Sequence, residues 1–203
     1  MSSCCTLNSI TFTPVQDAYV AEFYPDTNFG DSPYLFTNRF QGCGDIYRTY
    51  LQFDLCSLIC NSVPPNSCIR HATLWFPICR NEVPECDNEL YAVRVLQNWF
   101  ESDVTWNNQP ITALTPDGYT VITPSDDWVY MDITDLVNWW YSGYYPNFGL
   151  LLRCDEDIDS LISFFSHEYS NSDYWPRLTV WYTVNCCCSL PCNCGTPSCN
   201  NPD

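Results

Sequence analysis

The feature that most constrains this chain is a succession of short segments with alternating apolar and polar residues, cut at close intervals by Pro, Asn, Asp and Gly. The segments are Asp17–Phe23, Tyr34–Asn38, Tyr47–Leu55, Cys68–Phe76, Glu89–Leu96, Trp128–Asp132, Phe148–Arg153, Leu161–Phe165 and Arg177–Val184. In the last of these, Leu178, Val180, Tyr182 and Val184 share one face while Thr179, Trp181 and Thr183 share the other. That is the two-residue period of a half-buried strand, which no helix can satisfy. One stretch departs from it. Thr134 stands as an N-cap before apolar Leu136, Val137, Trp139 and Trp140, and Gly143 is a stop, so the pattern predicts a helix of about two turns. Many short strands with one helix predict an all-β fold, an antiparallel β-sandwich of jelly-roll type. Asn28-Phe-Gly and Asn147-Phe-Gly repeat each other, which reads as turn chemistry reused at positive φ and not as a duplicated domain.

The 203 residues suit one domain, and 46% hydrophobic against 15% charged residues excludes a disordered chain. Cysteine divides the sequence into three parts: a connector arm (1–14) with Cys4 and Cys5, the strand-rich body (15–184), and a tail (185–203) holding Cys186, Cys187, Cys188, Cys192, Cys194 and Cys199. The tail lacks aromatic residues, so it cannot build a core of its own. All seven basic residues are Arg, and the net charge is −17. Such a field repels phosphate and anionic lipid, which argues against nucleic acid or a membrane surface as partner. No apolar run approaches the roughly 18 residues of a membrane span, and the first residues have neither a basic nor an apolar region of a secretion signal. Fifteen cysteines nevertheless point to an oxidising destination. The two together suggest a protein made reduced, without a signal peptide, and oxidised later outside the cell.

Seven blocks follow in order: Asp17-Ala-Tyr-Val with Asn28-Phe-Gly, Arg48-Thr-Tyr-Leu-Gln-Phe-Asp-Leu, Ala72-Thr-Leu-Trp-Phe, Val104-Thr-Trp-Asn-Asn-Gln-Pro, Asp132-Ile-Thr-Asp-Leu-Val-Asn-Trp-Trp, Asn147-Phe-Gly-Leu-Leu-Leu-Arg, and Phe165-Ser-His-Glu-Tyr with Pro176-Arg-Leu-Thr-Val. The series resembles the DNRLRE domain, also described as carbohydrate-binding module family 96. The resemblance implies a β-jelly roll on secreted and cell-surface bacterial proteins, with polysaccharide binding in some members. His167 stands where that family more often has Arg, and the cysteine-bearing ends are additions to its pattern. The Cys4-Cys5 pair is also similar to the N-terminal connector of bacterial endospore appendage proteins.

Catalytic chemistry has thin support. His71 and His167 are the only histidines, and there is no nucleophile-elbow, zinc-protease or phosphate-loop motif. No enzyme activity and no cofactor is expected. Asp155, Asp157 and Asp159 offer oxygen ligands for calcium, but without EF-hand spacing the run reads as a solvated acidic loop and no metal is assigned. Trp106, Trp139, Trp140, Tyr144 and Tyr145 are candidate rings for stacking on a sugar, or core packing, with Tyr144 and Tyr145 the freest.

Adjacent cysteines cannot pair with each other without strain, because neighbouring Cα atoms lie about 3.8 Å apart and a disulfide needs about 4.4–6.8 Å. Cys4 and Cys5, and the Cys186–Cys188 run, therefore seek partners elsewhere. Three readings stay open: cross-links between copies of the chain, staples from tail to body, and a zinc site at Cys188, Cys192, Cys194 and Cys199. Body cysteines Cys43, Cys56, Cys60, Cys68, Cys79, Cys86 and Cys154 are candidates for internal pairs. The leading expectation is a disulfide-linked homopolymer, an extracellular fibre or spore coat. In it the arm, through Leu7, Ile10 and Phe12, adds a strand to a neighbour. The alternative is a polysaccharide-binding module.

Overall fold

Alternation sends successive side chains to opposite faces of a strand, and the computed structural model, which describes residues 6–56, 62–84 and 88–184, is built of such strands. The order is β1 (Leu7–Phe12), β2 (Gln16–Ala21), β3 (Tyr34–Arg39), β4 (Ile46–Gln52), β5 (Ser67–Asn81), β6 (Asn88–Arg94), β7 (Gly118–Ile122), β8 (Trp128–Asp132), α1 (Thr134–Ser142), β9 (Leu150–Arg153), β10 (Ile162–Phe165) and β11 (Arg177–Val184). Every strand pairing is antiparallel. One layer runs β1-β11-β5-β8 and the other β2-β4-β9-β6-β7. β3 and β10 carry the sheet from β4 round to the far end of β5, so the strands form one curled sheet folded over its own core. The expected antiparallel β-sandwich with one short helix is therefore present.

The core lies between the layers. Ala72, Leu74, Phe76, Val129, Met131, Leu178 and Val180 point in from the first, and Leu51, Leu90, Ala92, Leu150 and Leu152 from the second. Phe76 and Phe164, both within 1% of full burial, meet edge to face at 4.3 Å between ring centres. Such a pair contributes about 0.5–1.5 kcal/mol beyond its buried area. The outer face of the second layer is also closed. Trp99 and Val104, from the segment after β6, pack over Ala18, Val20, Tyr50, Val93 and Leu151. That segment is pinned by Trp99 Nε1 donating to the Phe148 carbonyl at 2.8 Å and Tyr50 Oη donating to Gln109 Oε1 at 3.0 Å.

The two Asn-Phe-Gly repeats are paired clamps. In each, the Asn Oδ1 accepts from the Gly N–H two residues on, while its Nδ2 donates across to a backbone carbonyl. These are Glu101 and Val104 for Asn28, and Phe53 for Asn147. Positive φ holds at Gly149 (+84°) but not at Gly30. What both glycines share is close approach: a Cβ would lie 2.3 Å from the Glu101 carbonyl oxygen at Gly30 and 2.3 Å from that of Leu51 at Gly149.

Two expectations about local structure change. Thr134 is the first helical residue, not the cap; Asp132 Oδ1 accepts from the Thr134 N–H at 2.8 Å and from its hydroxyl at 2.6 Å, two positions earlier than the sequence pattern suggests. Leu7, Ile10 and Phe12, expected in an arm that reaches a neighbour, lie in β1, which pairs with β11 of the same chain over Leu7–Phe12. Phe12 is buried in the core and Ile10 packs against it, so burial of these side chains within their own domain competes with strand donation.

Burial alone would raise the Asp132 carboxyl, but the side-chain and backbone donors of Thr134, with His71 nearby, hold it below its ordinary value. A depressed folded-state value gives stabilisation that is present above the unfolded value of about 3.9 and is lost as pH falls through the folded one. Asp132→Ala is expected to cost about 1 kcal/mol at neutral pH in urea unfolding, with the gap from wild type narrowing in acid. The side chain is 64% exposed, which keeps the effect at that size.

Candidate functional site

The outer face of the first layer is built by the positions that alternate with its core residues. Arg177, Thr179 and Trp181 on β11 lie beside Trp75, Thr73 and His71 on β5, and Trp75 and Thr73 lie beside Tyr130 and Asp132 on β8. Trp128 pairs with Pro77 at the end of β8. The rings follow the register. Trp75 and Trp128 have centroids 5.9 Å apart, Trp128 and Tyr130 stack at 6.4 Å and 25°, and Trp181 lies 5.2 Å from His71. Trp128 and Tyr130 are 40% and 60% exposed on a face where each ring is held by its strand. The Arg177 guanidinium carbon sits 5.2 Å from the Trp75 ring centre, and Trp75 Nε1 donates to Thr179 Oγ1 at 2.9 Å. The result is a strip of aromatic rings edged by a hydroxyl, a carboxylate, an imidazole and a guanidinium.

The His71–Thr73 pair lacks the third group of a nucleophilic relay. Thr73 Oγ1 lies 2.8 Å from His71 Nε2, which suggests a nucleophile beside its base. The third partner is not in place: His71 Nδ1 is 3.6 Å from Asp132 Oδ2, beyond a hydrogen bond, and the other Asp132 oxygen is committed to Thr134. His167 packs 4.2 Å from Trp175, and its backbone N–H donates to Asp17.

The rings singled out from the sequence fall elsewhere. Trp140 is buried in the core at 4% exposure. Trp106 packs against the covered face of the second layer, with the Arg48 guanidinium 4.7 Å from its ring centre and that same Arg held by both carboxylate oxygens of Glu156. Trp139, Tyr144 and Tyr145 do come together at the end of α1, with ring centres 5.5 Å (Trp139 to Tyr145) and 4.6 Å (Tyr144 to Tyr145) apart and Arg94 4.3 Å from the Tyr145 ring. Only Tyr144, 69% exposed, presents much of its surface. Sequence reasoning passed over Trp75, Trp128 and Tyr130, although each alternates with core residues, a signal that places it on an outer face once the strand is recognised.

The acidic run forms a turn. Asp155 Oδ1 accepts from the Asp157 N–H at 3.1 Å, while Asp159 accepts from the Gly42 N–H and from Arg39, which together hold its carboxyl below the ordinary range. Asp159 is thus already matched to a cation.

Among the body cysteines, Cys43 and Cys79 are exposed and Cys154 is buried, and none of these three is in a disulfide. Cys56 is half-buried and Cys68 buried. Cys4, Cys5, Cys60, Cys86, Cys186, Cys187, Cys188, Cys192, Cys194 and Cys199 lie outside the described residues.

Among known proteins, a family model described as carbohydrate-binding module family 96 matches residues 8–181, from β1 into β11. No curated protein matches the chain.

Proposed function

The chain belongs to carbohydrate-binding module family 96, and on that premise we propose that it binds a polysaccharide, without catalysis, on the outer face of β11, β5 and β8. The observation that carries this reading is the ring strip Trp75–Trp128–Tyr130, placed by strand register, with Trp128 and Tyr130 exposed. A pyranose presents an apolar face of C–H groups that lies on such rings, while its hydroxyls reach outward to polar groups at the strip's edge. Thr73, Asp132, His71 and Arg177 are those groups here. A strand-borne platform costs little to order on binding, because its rings are already held in place. Deployment outside the cell, where polysaccharide is met, is part of the proposal, and the cysteine content supports it. Both cysteine clusters that suggest a cross-linked fibre lie outside the described residues, so the fibre draws no support from the fold.

Affinity electrophoresis through gels containing single neutral or acidic polysaccharides tests the reading. Retardation in at least one gel, relative to a non-binding protein of similar size and charge, is expected. Unchanged mobility in every gel would overturn it.

A further inference from the structure

We propose that Asp17, Glu101 and Glu168 form a calcium site that ties the segment covering the second layer to the body of the domain. The three residues come from β2, from the segment after β6 and from the turn after β10, yet one carboxylate oxygen from each lies within 4.8 Å of the others. Oxygens no farther apart than that can be shared by one ion bound at about 2.4 Å, the distance calcium takes. A set made only of carboxylate oxygens suits a hard cation such as calcium better than the softer transition metals, which prefer nitrogen and sulfur ligands.

Within the cluster Asp17 is buried, where charge is expensive. Asp17 is 0% exposed, its Oδ2 accepts from the His167 N–H at 2.9 Å, and its Oδ1 is buried without any hydrogen-bond donor. Native proteins seldom leave a buried acceptor in that state unless an ion or water completes it. Burial, then the charges of Glu168 and Glu101, push the Asp17 carboxyl well above its ordinary range. Other inward acids have found counter-ions: Glu156 pairs with Arg48 and Asp117 with Arg94. Among the described residues, the basic group that reaches this cluster is His167, whose Nδ1 is 3.9 Å from Glu168 Oε1.

The surroundings hold the ligands firmly. Glu101 Oε1 accepts the Asp17 N–H at 2.6 Å, the Glu101 carbonyl accepts from Asn28 at 2.7 Å, and Gly30 is packed so closely beneath it that a Cβ would overlap that oxygen. One shared proton would leave two negative charges in the cluster; a divalent cation removes most of that repulsion and fills the Oδ1 position. The site is independent of the sugar-binding face.

Calorimetric titration of calcium chloride into the metal-stripped full chain, with thermal unfolding in chelator, calcium and magnesium, tests the assignment. Saturable binding is expected, with the melting temperature raised about 5–10 °C at calcium about a hundredfold above its Kd. Asp17→Asn removes one repelling charge while keeping the shape, so this variant should melt at or above metal-free wild type and lose the calcium response. Glu168→Gln, at a partly exposed position, should weaken the response at least tenfold while still folding. The proposal is overturned if calcium neither binds nor shifts melting, if the shift persists in both variants, or if magnesium matches calcium.

Discussion

Trp128→Ala is expected to weaken polysaccharide binding about thirtyfold without loosening the fold. Trp side chains at the centre of a contact surface typically cost about 2 kcal/mol or more when truncated, and every 1.4 kcal/mol is tenfold in affinity. Trp128 fits that role because its ring links Trp75 to Tyr130, so removing it breaks the strip in the middle. The fold should be spared, since the neighbouring core residue on β8 is Val129, 1% exposed, and the Trp128 ring is already 40% exposed. Trp75→Ala should cost as much in affinity but more in stability, because Trp75 Nε1 is bonded to Thr179 and Arg177 rests on its ring. The control is Tyr144→Ala, in the separate cluster at the end of α1, where binding should stay within about twofold of wild type. If Tyr144→Ala weakened binding and Trp128→Ala did not, the ligand would sit on the helix-end cluster and the strip would be surface packing.

The contrast between these rings shows what a sequence can and cannot disclose here. Residue type and alternation identified β11 and put Leu178 and Val180 in the core, because a two-residue period is a local property, but at its end Thr183 is buried and Val184 exposed, against the expected faces. They could not show that Trp75 and Tyr130 are lateral neighbours, 55 positions apart, since register is set by how the layers close over Leu74, Phe76 and Met131. Trp139-Trp140-Tyr141 drew attention by density, yet a helix turns adjacent residues to different sides, and Trp140 and Tyr141 go into the core. β7 escaped notice for a related reason: Tyr119 and Val121 are exposed hydrophobics at an outer edge of the sheet, so polar and apolar residues there do not sort into a buried and a wet face. Likewise Asp17, Glu101 and Glu168 lie 84 and 67 positions apart in sequence with no spacing signature; only the closure of the fold collects them.

Gly149→Ala is the substitution expected to damage the fold most for the smallest change in mass, by about 3 kcal/mol or more. Two costs add. A non-glycine residue at φ of +84° carries about 1–2 kcal/mol of backbone strain. The new methyl would also lie 2.3 Å from the Leu51 carbonyl oxygen, which is backbone of β4 and cannot swing aside as a side chain would. Relief requires β9 to part from β4, and that disturbs Leu150 and Leu152, both 0% exposed, and the bond from the Val95 N–H to the Gly149 carbonyl. Gly30→Ala faces the same 2.3 Å approach but without positive φ, so its cost should be smaller. Asn147→Ala, which keeps the glycine and loses two hydrogen bonds, should cost about 1–3 kcal/mol. For a domain whose whole stability is of order 5–15 kcal/mol, the Gly149 variant should show a large fall in urea midpoint at unchanged slope. If Gly149→Ala instead proved no worse than Gly30→Ala, backbone strain at Gly149 would contribute nothing, and contact alone would explain why both repeats end in glycine.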